Sequence, residues 1–168
     1  VCFHFRMDGV EYPDDLGKSM AFDEFYKRIS AGSEPTTAQV NTQQYMELFE
    51  PVLKEGKDLL HLTLSSGISG SINSANMAKI QLEEKYPERK IFIVDSLSAS
   101  SGYGMLVDAA LENQEKGFSI EENVKWIEEN RNRLHHWFFS TDLTSFIRGG
   151  RISKVSGFVG QALNICPL

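Results

Sequence analysis

Ser65, Ser66, Ser69 and Ser71 crowd one seven-residue stretch, SSGISGS, with Gly67 and Gly70 between them. Hydroxyls and bare backbone amides at that spacing are hydrogen-bond donors for a small anion. An alternating stretch, HLTL, runs into them, and a helical pattern, SINSAN, leaves them. The serines therefore sit where a strand hands over to a helix. A helix start carries unpaired N–H groups and about half a positive charge, which favours an anion. Gly67 and Gly70 would let the backbone approach such a group closely. The same residues also suit an ordinary turn, since Ser caps helices and Gly makes turns. The stretch alone leaves both readings open.

Two further small-polar turns have the same character. VDSLSASSGYG holds Asp95 and Ser96, and STDLTS follows residues 134–140. A fourth stretch, SFIRGGRISK, sets Arg148 and Arg151 on either side of two glycines. Gly149 there fits a helix cap, with Arg148 near the negative helix end. The two guanidinium groups also suit phosphate or carboxylate recognition.

Other chemistries fit less well. The chain has no G-x-S-x-G, no G-x-x-x-x-G-K-[ST], no G-x-G-x-x-G and no H-E-x-x-H. His4, His61, His135 and His136 are scattered in strand-like contexts. Carboxylates cluster on helix faces such as EENVKWIEEN, as on a solvated surface. A serine-dependent enzyme acting through Ser69 on a small carboxylate or phosphate ester lacks an obvious general base. No metal and no cofactor is expected.

The elements that must position these groups alternate. Residues 58–64, 90–94 and 134–140 read as short strands, each followed by a small-polar turn. Helical spacing recurs in Phe22, Phe25, Tyr26 and Ile29, in Tyr45, Leu48, Phe49 and Val52, in Ile72, Ala75, Ala78 and Leu82, and in Leu106, Ala109 and Ala110. Residues 119–132 form another helix, with Ser119 and Glu122 as a capping box. The segment AGSEPTTAQVNT reads as a loop. Strands alternating with helices predict an α/β fold, a mainly parallel sheet flanked by helices. In such sheets ligands settle beyond the carboxyl ends of the strands, where the three turns lie.

A chain of 168 residues can bury one domain core, and the net charge of −6 argues against a nucleic-acid surface. No apolar run approaches the ~18 residues of a membrane span. Cys2 and Cys166 read as free thiols in a reducing compartment, so a cytoplasmic location is expected. Both ends read as cut from a longer chain: the first residue is Val and the last residues are LNICPL.

These stretches together resemble the DegV family, bacterial fatty-acid-binding proteins that serve as the lipid-carrying subunit of a fatty acid kinase. LSSGISGSINSA is similar to the family's S-S-x-L-S-G-T-x-x-S-A, and VDSLSASSGYGMLV to its V-D-S-x-x-x-S-x-G-x-G. FIRGGRIS, ALNICPL and MDGVEYPDDL resemble three further family stretches, all in family order. The resemblance implies that Thr37 and Ser69, with Gly70, hold a fatty acid carboxylate. It implies that Arg151, and less directly Arg148, serve phosphoryl transfer or partner contact. Ser65, Ser66, Gly67, Asp95 and Ser96 become supporting turn residues. The implied partners are a long-chain fatty acid and a separate ATP-dependent kinase subunit, with no nucleic acid and no stable membrane insertion. Ala38, Val40, Ser71 and Cys166 depart from the family pattern. Residues 1–168 would then be most of a first domain; an earlier strand and a second domain, with a histidine and much of the acyl tunnel, would lie outside it, and an inactive domain fragment is the alternative reading.

Overall fold

A computed structural model describes residues 2–140 and 143–162. Along the chain they form β1 (His4–Met7), β2 (Val10–Pro13), α1 (Phe22–Ser30), β3 (Thr36–Ala38), α2 (Thr42–Lys54), β4 (Leu59–Thr63), α3 (Ser71–Lys85), β5 (Ile91–Asp95), α4 (Ser100–Glu115), α5 (Ile120–Asn130), α6 (Thr144–Arg148) and α7 (Lys154–Ala162), with a short 3-10 turn at Arg131–Arg133.

The parallel pair β4–β5 is the centre, in the register Leu59↔Ile91 to Thr63↔Asp95. Side chains alternate across it, as strand geometry requires. One face meets α2 and α3, where Tyr45, Phe49, Leu53, Ala75, Ala78, Leu82 and Ile91 form a buried cluster. The other meets α4 and α5, where Leu62, Val94, Leu106, Ala110 and Ile127 form a second. Small residues on α3, Ala75 and Ala78, are fully buried and let the helix lie close to the strands. Capping boxes at Asn41/Gln44 and Ser119/Glu122 start α2 and α5. Buried amides tie α4 to α5: Asn123 Nδ2 donates to Ala110 O (2.7 Å) and Asn113 Nδ2 donates to Asn123 Oδ1 (3.1 Å).

The α/β class and the parallel pair match the sequence reading, and so do α1, α2, α3, α4 and α5. The structure adds an antiparallel sheet of order β2-β1-β3 that the reading lacked. Asp8 and Gly9, with φ of 53° and 80°, make the tight turn between β1 and β2. Asp-Gly between short strands is a strong hairpin signal, because both turn residues need left-handed backbone. The expected loop at AGSEPTTAQVNT contains β3, which pairs with β1. Val40, just beyond it, is 1% exposed and anchors the segment in the α2–α3 cluster.

A second correction concerns residues 134–140. They form no strand, and Trp137 and Phe139 are 79% and 80% exposed. Aromatic content signals strand propensity, but a strand exists only through a ladder partner, and none reaches this segment among the described residues. The turn before α4 is also shorter than expected, since Gly102 and Gly104 lie inside the helix. The His136 imidazole occupies the space that a side chain at Gly102 would fill. STDLTS is only partly described, and the NICPL stretch with Cys166 lies outside the described residues. Among the described residues no helix is long and apolar enough to cross a membrane.

His61, on β4, packs on α2 with ring centroids 5.2 Å from Tyr45 and 5.0 Å from Phe49. Burial pushes its pKa down to about 4. The folded chain therefore keeps the imidazole neutral, whereas the unfolded chain protonates it near pH 6.5. Between those values the unfolded state binds the extra proton. Stability should be whole above pH 6.5 and decline as pH falls towards 4, by at most roughly 3 kcal/mol from this group. Urea midpoints measured across that window should fall in the wild type and fall less in His61→Phe; parallel curves would contradict the assignment.

Candidate functional site

The turns after β4 and β5 are laced together by backbone and carboxylate. Ser65 N–H donates to Ser98 O (3.0 Å) and Ser96 N–H donates to Thr63 O (3.2 Å). The Asp95 carboxylate accepts from Leu97 N–H (2.9 Å) and Ser66 N–H (3.2 Å). Burial raises the Asp95 carboxyl, but the bonds from Ser66 and Leu97 and the Arg131 guanidinium outweigh it, so the group is held below its ordinary value. Ser96, fully buried, donates to Ser98 O (3.2 Å) and accepts from Ser98 N–H (3.1 Å). Ser65 Oγ accepts from Gly67 N–H (3.3 Å). Ser65, Ser66, Gly67, Asp95 and Ser96 thus form a scaffold whose polar groups are largely turned on one another.

Ser69 stands at the next step up, where α3 begins. Gly70 is the N-cap residue and offers no side-chain cap. Ser71 N–H donates instead to Ser69 Oγ (3.2 Å), and the Ser69 hydroxyl donates to Ser71 Oγ (3.1 Å). Gly70 lies against Gln39: a Cβ there would come within 2.6 Å of Gln39 Oε1, so the glutamine amide would have to shift. Gln39 also donates through Nε2 to Ser74 Oγ (3.3 Å). This one side chain therefore spans from the β3 segment to the start of α3. Thr37, two residues before it, pairs with Phe5 and is solvent-exposed.

A cleft of about 510 Å³ opens beside Thr37, walled by Ile29, Ser33, Glu34, Pro35, Thr36, Ser145, Phe146, Arg148, Gly149 and Arg151. Arg151 reaches out of its own turn, donating from Nε to Ile68 O (3.3 Å) and from Nη1 to Gly149 O (2.6 Å). Arg148 pairs with Glu34 at 3.0 Å. Gly149 follows α6 as the cap residue, and Gly150, at φ 72°, makes the left-handed turn. On its other side Thr37 borders a cavity of about 290 Å³ with Phe3, Phe5, Phe22, Phe25 and Tyr26 in its walls.

Three of the sequence-derived residues, Thr37, Arg148 and Arg151, thus line one cleft. Ser69 and Gly70 do not line it but adjoin it, through Gln39 on one side and Arg151 on the other. A hydroxyl, a helix start and two guanidinium groups in that order suit an anionic head group. They suit nucleophilic catalysis poorly, because the Ser69 hydroxyl is bonded to another hydroxyl rather than to a base. Gln39 is the residue sequence reasoning missed. No spacing rule marks it, and only the fold brings it onto Gly70.

The model of the DegV family, a family described as uncharacterised, matches residues 1–168. A DegV domain-containing protein of Clostridium perfringens is 40% identical over 163 residues, which is 97% of this chain and 56% of the relative. A DegV domain-containing protein of Caldanaerobacter subterraneus is 33% identical over 163 residues, again 56% of its length. The chain thus spans about half the length of the curated relatives it matches. Among solved structures, the fatty-acid-binding DegV family protein of Thermus thermophilus has a TM-score of 0.82 at 31% identity, over 99% of this chain and 57% of that one. The Streptococcus pneumoniae fatty acid kinase B3 protein, loaded with linoleic acid, has a TM-score of 0.79 at 27% identity, over 95% of this chain and 55% of that one. With the family pattern matched from end to end and the fold shared, this chain belongs to the DegV family.

Proposed function

We propose that the chain carries the head-group half of a long-chain fatty acid site and presents the carboxylate to a separate ATP-dependent kinase subunit in the cytoplasm. Thr37 and Ser69 donate hydroxyl hydrogen bonds to the carboxylate, and the amides at Gly70 and the start of α3 add the positive end of a helix. Arg151 and Arg148 face the incoming phosphoryl group or the kinase surface. In the reaction a carboxylate oxygen attacks the terminal phosphorus of ATP, the bond to ADP breaks, and an acyl phosphate forms. The kinase brings ATP and Mg²⁺. This chain binds, orients and releases, and is not itself the catalyst.

The single observation that carries the reading is the cleft that joins Thr37 to Arg148 and Arg151 while Arg151 touches the Ser65–Gly70 turn. One structural neighbour named for fatty acid binding and another loaded with linoleic acid support it. The acyl chain needs dry apolar walls, each buried CH₂ being worth about 0.8 kcal/mol. We assign much of that wall to a second domain beyond these 168 residues, in keeping with the greater length of the relatives.

A hydrogen bond to a charged group is worth about 1.5–3 kcal/mol. Ser69→Ala and Thr37→Val should each weaken binding of a fluorescent fatty acid by roughly tenfold or more. Unchanged affinity in both variants would defeat the head-group assignment. Arg151→Ala should leave fatty acid affinity nearly intact and abolish acyl phosphate formation with the partner kinase. Equal loss of both would assign Arg151 to the head group instead.

A further inference from the structure

Thr37 and Ser69 stand on different parts of the fold. Thr37 belongs to β3, which pairs only with β1 among the described strands. Ser69 ends the turn that leaves β4, just before α3. A carboxylate holds its two oxygens at a fixed separation, so two hydroxyls serve it together only if their spacing is fixed as well. Donors already in place bind more tightly than donors that must first be gathered. A contact that ties β3 to the start of α3 would supply that order.

Gln39 makes such a contact. Side chains alternate along a strand, so Gln39, just past the end of β3, leaves the chain on the same side as Thr37. Its amide lies against the backbone of Gly70, where a Cβ would come within 2.6 Å of Oε1 and 3.5 Å of Nε2. The same amide is 3.3 Å from Ser74 Oγ, in the first turn of α3. Either end of the amide can serve that hydroxyl, which both donates and accepts. Gly70 itself has a φ of −81°, on the negative side open to other residues. The side chain it lacks leaves room for the glutamine amide.

We propose that Gln39 is a positioning residue that latches β3 onto the start of α3 and so fixes the spacing of the Thr37 and Ser69 hydroxyls; the proposal rests on the fatty-acid reading of that pair. The residues that follow are held independently. Val40 is buried in the α2–α3 cluster, and Asn41 caps α2 by accepting from Gln44 N–H at 2.9 Å. Those two set the path of the chain into α2, and Gln39 sets how far β3 stands from α3. Gln39 is exposed, and Val40 and Asn41 keep their own contacts without it, so Gln39→Ala leaves the core intact.

The test is a double-mutant cycle read by titration with palmitic acid. Gln39→Ala should weaken binding by about three- to tenfold in the wild-type background. In a Thr37→Val background the hydroxyl to be placed is already gone, so the same change should alter affinity by about twofold or less. Amide exchange along β3 should quicken in Gln39→Ala while exchange in α5 stays as it was. Unchanged palmitic acid affinity in Gln39→Ala would overturn the proposal and leave the fatty-acid reading standing. Equal losses in the two backgrounds would also overturn it, by showing that Gln39 acts other than through Thr37, and so would unchanged exchange along β3. A wild-type protein that takes up no palmitic acid would overturn the fatty-acid reading and this proposal with it.

Discussion

Two parallel strands end side by side, and each releases a turn whose backbone N–H groups have left the ladder. Amides that leave a ladder need another acceptor, from the protein or from water. Asp95 answers for both turns at once, taking N–H bonds from Leu97 on its own strand's turn and from Ser66 on the neighbouring one. Ionisation strengthens both bonds, and the depressed pKa of the carboxyl favours the charged form. The parallel register makes this possible by setting Asp95 opposite Thr63, one residue before the β4 turn begins. With that turn held, the Ser69 hydroxyl and the start of α3 have a fixed place. Without it, the serines would be a loose polar loop.

How much of this was legible in the sequence depends on the range of the forces involved. The helices were readable because apolar spacing along one segment decides which face is buried, as at Tyr45 and Phe49 or Ala75, Ala78 and Leu82. The parallel pair was readable because Leu62 and Val94 are apolar on a pattern that turn residues interrupt. The antiparallel sheet was not read, although Asp8-Gly9 marked its hairpin, because its strands are three or four residues long and half-exposed. Residues 134–140 failed in the opposite sense: strong propensity with no partner strand beside it.

The candidate site was legible to the same degree. Ser69, Gly70, Arg148 and Arg151 carry local signals, hydroxyls at a helix start and cations around a Gly-Gly turn. Their convergence carries none. The contact of Arg151 with Ile68 joins residues 83 positions apart in the chain. Gln39 against Gly70 is likewise a tertiary contact, and Gly70 could be read as a turn glycine but not as a seat for a glutamine amide. Val40, a departure from the family pattern, is buried and packs in the α2–α3 cluster.

The shortness of β3 has a consequence for motion. Thr37 is carried on three exposed residues paired only to β1 among the described strands, so this short ladder can fray up to the Val40 anchor in the α2–α3 core. Amide exchange there reports a local free energy smaller than that of global unfolding. Anything that grips Thr37 closes the segment, and by linkage slows exchange along β1 and β3 in proportion to its occupancy. Occupancy of the cleft and protection of this ladder are then two measures of one equilibrium, and either one reads out the other.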